Sequence, residues 1–306
     1  MPSAHLDPLL LHLASSQSGM FTTSQALAVG LDRHSLGALV SAGILKHPGR
    51  ALYAVTSLID EQPAAWHLHL MVGARLLYPD ATFTGVSAVL AHGIEVWNTD
   101  LNRPQLTRPV KRGATHTCFH LRPTRTTEKV DTHHGPTEPL VMALVQHAMD
   151  NGIEQGVVSM DHALRVGAVT DDQLGEALAA TAFWPLRGRA RSAVALADGR
   201  RESVAESRCA VALAVAGIAV TPQVVIRRVD GSVIGRVDFL VDGTRVVIEV
   251  DGKVKYAAGD PSVLWTEKRR EDSIRARGFV VVRITWADLE RPGAVAARVR
   301  QALRAA

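Results

Sequence analysis

RVDFLVDGTRVVIEVDGKVKY, residues Arg236 to Tyr256, is the stretch on which the reading of the chain turns. It places Asp238 in one predicted strand. Glu249 and Asp251 close the next strand, and Lys253 and Lys255 follow. Acids at the ends of apolar strands are costly unless a cation or a catalytic task accounts for them. Alternation over 244–251 directs Val246, Ile248 and Val250 one way and Val247, Glu249 and Asp251 the other. Apolar residues on both faces imply a central strand, covered on each side. Asp238 lies in the preceding antiparallel strand, with Val237 and Phe239 directed to the opposite face, so its carboxylate comes within reach of the other two. Acids that close take up a proton or bind a cation. Oxygen ligands suit Mg2+, or Mn2+ in its place.

The flanking sequence supplies the rest of a domain. Ser203 caps a helix over 203–216, with Glu206 at the capping-box position and Gly217 at its end. Strands follow at 224–229, 233–241 and 244–251, joined by Asp230-Gly231 and Asp242-Gly243 turns. A helix from Pro261 to Arg277, the strand FVVVRIT and a terminal helix from about Ala294 complete an α-β-β-β-α-β-α order. This order and the pattern Asp238, Glu249-x-Asp251 resemble the PD-(D/E)XK nuclease fold, and most closely its Vsr-like branch. The resemblance rests on AESR, GRVDFLV, VVIEVDGKVKY and LWTEKRREDSIRARGFVVVRITWADL, over about residues 203–290.

The resemblance implies a metal-dependent DNA endonuclease. Asp238 and Glu249 would hold the metal, with Asp251 as a third or supporting carboxylate and Glu206 orienting a water or the metal. Bound metal would activate water and stabilise the scissile phosphate. The lysine usual two residues after the second acid is replaced by Asp251, so that part falls to Lys253 or Lys255. Lys268, Arg269 and Arg270 on the following helix would meet phosphate or pair with Glu271 and Asp272. Trp265 and Trp286 read as packing residues. Plainer readings stand beside these: Asp251-Gly252 as a turn, Asp238 paired with Arg236 or Arg245, and Glu206 as a helix cap.

At the N-terminus, helices are expected at 6–15, at QALAVG behind a Thr23 or Ser24 cap, and at about 33–42. A hairpin over Ile44–Val55 follows. Three short helices and a hairpin make a winged helix-turn-helix. Gly19, Phe21-Thr22, Gly30 and LVSAGILKHPGRALYAV resemble the N-terminal domain of AbiEi-type antitoxins, and PDATFTGVSAVLAHGI resembles that family's second region. The likeness implies DNA binding, repression of the protein's own operon and a cognate toxin protein as partner. Arg33, His34 and Ser35 would then face base edges, and Lys46 and Arg50 on the wing would meet phosphates.

Between these ends, residues 101–135 are rich in Arg, Thr and His, with two or three strands expected. His116, His120, His133 and His134 suggest a metal, and alternation sets His116 and His120 on one strand face, but no third zinc ligand stands at a fitting spacing. Helices are expected over 137–181, the last capped by Thr170 with Gln173. The chain has 306 residues, 34 Lys and Arg against 30 Asp and Glu, and two distant cysteines, so a disulfide framework is not expected. Its pI near 9.3 suits an anionic partner. No apolar run is long enough to span a bilayer, and the start lacks the pattern of a signal peptide, so a cytoplasmic location is expected. The expected architecture is α+β and multidomain: a winged-helix DNA-binding domain at 1–60, a mixed α/β middle region at 61–200 and a PD-(D/E)XK nuclease-like domain at 201–306. The alternative is a non-catalytic antitoxin and repressor that retains a nuclease fold without its activity.

Overall fold

Short polar side chains set the helix starts in the first third of the chain. Asp7 accepts from the amides of Leu9 and Leu10 and opens α1 (Pro8–Ser16). After β1 (Met20–Thr22), Thr22 opens α2 (Thr23–Ala28) through a capping box with Gln25. The cap is therefore Thr22 and not Thr23 or Ser24, because Gln25 closes the reciprocal bond to the Thr22 amide at 2.8 Å. Asp32 caps α3 (Arg33–Ser41) through the Ser35 amide at 2.7 Å. A hairpin of β2 (Leu45–Gly49) and β3 (Leu52–Val55) follows, giving an antiparallel sheet in the order β1-β3-β2. Leu10, Phe21, Leu36, Leu45 and Val55 are buried together beneath it. At roughly 1.5–3 kcal/mol per fully buried large apolar side chain, these five residues are the main reason the module holds its shape. The arrangement is a winged helix.

The structure is a computed structural model that describes residues 6–251 and 261–305. The chain divides into two compact units: residues 1–151 with 176–182, and residues 152–175 with 183–306. The stretch 1–60 lies in the first unit and 201–306 in the second, while 61–200 is shared between them.

Within the first unit, α4 (Pro63–Leu77) leads to β4 (Thr82–Phe83) and α5 (Gly85–Ala91). β5 (Gln105–Arg108), β6 (Ala114–Thr115), β7 (His120–Pro123), β8 (Val130–Thr132) and β9 (Gly135–Thr137) then join β4 in one sheet, in the order β6-β7-β5-β4-β9-β8. Residues 101–135 thus hold four strands and open a fifth, more than expected. The strands are two to four residues long and mostly polar, too short for alternation to show. α6 (Leu140–Asn151) ends this part. Beneath the sheet lies a buried polar network. The Glu138 carboxylate accepts from the Thr84 hydroxyl and the Gly85 amide, at 2.7 and 2.6 Å. His67 bonds the Leu101 carbonyl through Nδ1 and Ser87 through Nε2.

The second unit opens with α7 (Ile153–Arg165). α8 (Asp171–Ala180) is divided between the units, and its Thr170–Gln173 capping box forms as expected. α9 (Arg187–Leu196) and α10 (Val204–Val215) precede the sheet. Its strands are β10 (Val220–Arg227), β11 (Val233–Val241), β12 (Val246–Val250) and β13 (Val280–Ile284), paired in that order. The first three are antiparallel. β12 and β13 are parallel, with α11 (Pro261–Ala276) as the crossover. α12 (Trp286–Leu289) and α13 (Ala294–Ala305) close the chain.

β12 is covered on both faces, as its composition implies. Val246 and Ile248 pack with Cys209 and Leu213 of α10 and Val295 and Val299 of α13. Val247 packs with Ile274 of α11. Arg208 of α10 is a buried cation at 4 % exposure, satisfied by Glu154 and Glu290 at 2.8 and 2.9 Å and by the Leu289 carbonyl. Its guanidinium also lies over the Trp286 ring.

Candidate functional site

The winged helix leaves the first turn of α3 and the tip of its hairpin exposed. Arg33, His34 and Ser35 are all exposed on the first turn of α3, while Leu36 and Leu39 of the same helix are buried. Helical periodicity thus sends the apolar residues inward and leaves the polar first turn outside. The Ser35 amide is already taken by Asp32, and that bond holds the Asp32 carboxyl below its ordinary range. Arg50 is exposed at the tip of the β2–β3 hairpin. Lys46 departs from expectation. Its ammonium lies 2.6 Å from Glu61 and over the Trp66 ring, so it is engaged within the chain. Both partners are more than a third exposed, which makes that pair weak and exchangeable.

The second candidate is the carboxylate group of the C-terminal sheet. β11 and β12 pair Phe239 with Ile248 and Leu240 with Val247, and the same register carried one residue further sets Asp238 opposite Glu249. Asp238 accepts from the Val250 amide at 2.6 Å, so a carboxylate serves where a ladder carbonyl would otherwise stand. The expected side-chain alternation breaks at this point. Phe239 packs on the α10 side, but Val237 packs with Val247 and Ile274 on the α11 side. The plainer pairings of Asp238 are not those seen: Arg236 turns to Glu202 at 2.7 Å, and Arg245 to the Arg277 carbonyl.

Two guanidiniums bear on the other acids. Arg270 lies 3.2 Å from Glu249 and donates to the Arg236 carbonyl. Arg283 lies 3.5 Å from Asp251 and 2.8 Å from Glu271. Glu271 is bound by Arg275 and Arg283 and so does not pair with Lys268 or Arg269 as expected. Lys268 and Arg269 are exposed. Trp286 packs against the core, whereas Trp265 is 65 % exposed and is not a packing residue. Lys253, Lys255 and Gly252 lie outside the described residues.

Glu206 is buried and caps α10 as its position implies, accepting from the Ser203 hydroxyl and the Glu202 amide. It also accepts from Gln223 Nε2 at 2.7 Å. Gln223 was not singled out in the sequence. It sits in β10 with φ +59°, and its Oε1 is buried without a hydrogen-bond partner. Because Glu206 can only accept, Nε2 must face it and Oε1 must face away. Arg283 was likewise missed, since nothing local marks an arginine in a strand as the partner of an acid two strands' length away in sequence. Cys209 lies within the field of both Asp238 and Glu206. Its thiol is pushed up to about 12, first by burial and then by those two charges.

Among the described residues, no three His, Cys, Asp or Glu side chains are gathered closely enough to hold a metal. Asp238 and Glu249 fit a Mg2+ or Mn2+ ion only in the mode in which one or two carboxylates hold it and water completes the shell. Arg270 would have to yield Glu249 to such an ion.

The fold of the first module is thus that of a winged helix. Residues 8–56 match the family model described as transcriptional regulator, AbiEi antitoxin. The match covers α1 through the hairpin, the same residues that build the winged-helix core. No curated protein matches the chain. Among the described residues no helix is long and apolar enough to cross a membrane.

Proposed function

We propose that this protein is a DNA-binding transcriptional regulator of the antitoxin type, reading DNA with the first turn of α3. The observation that carries this is the exposure of Arg33, His34 and Ser35 together on a capped helix, within the segment that matches an antitoxin regulator family. Arg33 would contact a base edge and Arg50 a phosphate, and Lys46 would exchange Glu61 for the backbone. A toxin encoded beside it is the protein partner, and the cytoplasm, where the DNA lies, is its place of action. Fluorescence anisotropy with the DNA upstream of its own gene tests this. Arg33→Ala should weaken binding about tenfold, and Arg50→Ala should lower the salt dependence by about one phosphate contact. Wild-type binding no tighter to that DNA than to a scrambled duplex would sink the reading.

A second reading is supported by the register that sets Asp238 opposite Glu249. In it the second unit is a Vsr-like nuclease domain that hydrolyses phosphodiesters with Mg2+ or Mn2+. Asp238 and Glu249 would hold the metal, which would supply a nucleophilic water and charge stabilisation. Lys268 and Arg269 would steer the phosphate backbone. Plasmid nicking in Mg2+, comparing wild type with Asp238→Ala and Glu249→Ala, decides it. No nicking by wild type leaves the regulator alone, and nicking that survives both substitutions removes the site assignment.

A further inference from the structure

A cavity of about 510 Å³ in the first unit is lined by Ser16, Gln17 and Ser18 from the end of α1 and the turn after it, by Arg75 from the last turn of α4, and by His133 and His134 from the β8–β9 turn. Arg75 decides its chemistry. Its guanidinium is half-buried, and among the described residues it has no ion pair and no hydrogen bond. Nε in particular is buried without a partner. Among the described residues, Arg208 is paired with Glu154 and Glu290, and Arg201, whose Nε is likewise buried without a partner, still has Asp161 as its counter-charge; Arg75 has none. A half-buried guanidinium whose Nε is buried and unpaired carries the cost of an unmade hydrogen bond. The C-terminal end of α4 offers only about half an elementary negative charge in compensation.

The surroundings hold this cation in place instead of neutralising it. Gly135 has φ +116°, and a Cβ there would lie 2.6 Å from Arg75 Nη1 and 2.7 Å from its Cδ, so the guanidinium rests directly on the glycine backbone. The other polar groups of the cavity are neutral or cationic: two hydroxyls, an amide and two imidazoles. Such a set is deficient in negative charge and rich in donors. An oxyanion supplies what is missing, and phosphate matches the guanidinium fork best.

We propose that this cavity binds the phosphate group of a small phosphorylated ligand, with Arg75 as its principal contact and His133, His134 and the Ser18 hydroxyl as further donors. The cavity has room for more than phosphate, so a phosphorylated organic ligand fits it. The site adjoins the winged helix through Ser18, which has φ +52° and whose carbonyl is held by His69 Nδ1 at 2.8 Å. Gly19 follows, and its carbonyl accepts from the Val55 amide of the wing. A ligand here would therefore act on the joint between α1 and the hairpin, as an effector of the DNA-reading module.

Titration calorimetry with inorganic phosphate and with adenosine monophosphate, at fixed ionic strength, tests this. Wild type should bind saturably, with the nucleotide tighter than phosphate. Arg75→Met should bind at least tenfold more weakly, and Arg75→Lys should fall between. Phenylglyoxal labelling read by mass spectrometry serves if Arg75→Met fails to fold: Arg75 should be modified in the free protein and protected by millimolar phosphate. Absence of saturable binding by wild type, equal binding by Arg75→Met, or no protection of Arg75 would each overturn the proposal. Protection by a DNA duplex but not by either small probe would assign the site to the DNA backbone and overturn the small-ligand claim.

Discussion

Replacing Glu138 with glutamine should change how the first unit responds to pH, by an amount the structure lets one work out. Burial pushes the Glu138 carboxyl from 4.5 up to about 7, against the opposing bonds from Thr84 and Gly85. From pH 4.5 to about 7 the folded chain therefore holds a proton that the unfolded chain has lost, and stability falls as pH rises through that window. At 1.36 kcal/mol per pH unit, the loss is about 3 kcal/mol. His67 works in the other direction. Burial lowers it from 6.5 to about 4, so the unfolded chain binds a proton that the folded chain refuses. Its contribution is present above pH 6.5 and is lost as pH falls towards 4, again by about 3 kcal/mol. Over most of this range the two slopes cancel. The Glu138→Gln variant can still accept from Thr84 and Gly85 through its amide oxygen, but it no longer titrates. Relative to wild type it should gain about 3 kcal/mol between pH 4.5 and 7, and it should lose stability below pH 6.5 with the His67 slope exposed. Hydrogen exchange of peptides from residues 63–151, at pH 4.5, 5.5 and 7, reads this unit apart from the other. Groups common to both proteins cancel in the difference. Variant and wild-type profiles that run parallel across the window would refute the assignment of a buried, protonated Glu138.

Other outcomes follow from single contacts. Replacing Glu154 and Glu290 together with glutamine should destabilise the second unit by about 3–5 kcal/mol in urea denaturation, because the buried Arg208 cation loses both of these counter-charges. Asp32→Ala should lower the stability of the winged helix through loss of the α3 cap, seen as a lower melting temperature. The same substitution removes a negative charge beside Arg33 and should tighten non-specific DNA binding at low salt. Arg270→Gln should release Glu249 and raise Mn2+ affinity measured by paramagnetic resonance. Unchanged affinity in a protein that does bind Mn2+ would show that Arg270 does not compete with the ion.

Local signals made much of this protein legible. Capping residues and glycines marked the helix ends, as with Thr170 and Gln173 on α8 and Ser203 on α10, because a cap is decided by residues three apart. Asp-Gly turns and apolar runs marked β10 to β12 for the same reason. The short strands of the six-stranded sheet were under-read, since a strand of two polar residues is held by its neighbours and not by its own pattern. The three helices and the hairpin of the winged helix were readable from their own patterns, but β1 was not, since a three-residue strand buried throughout shows no alternation.

Partners distant in sequence could not be read. Alternation and antiparallel pairing raised the expectation that Asp238, Glu249 and Asp251 share one sheet end; the register does set Asp238 opposite Glu249, while the alternation around Asp238 breaks. Nothing local required Arg270 to cross to Glu249, Arg283 to Asp251, or Gln223 to Glu206, for these pairs are made by the stacking of α11 and the order of β10 to β13. Glu61 likewise holds Lys46 across a turn of chain that no periodicity governs. The amino-acid sequence settles where side chains of one element point, because backbone geometry is periodic. Which charges meet depends on how elements pack, and that is decided by burial of the whole apolar surface at once. The carboxylates of Arg236–Tyr256 were visible from the outset, and the guanidiniums set upon them emerged only from the folded chain.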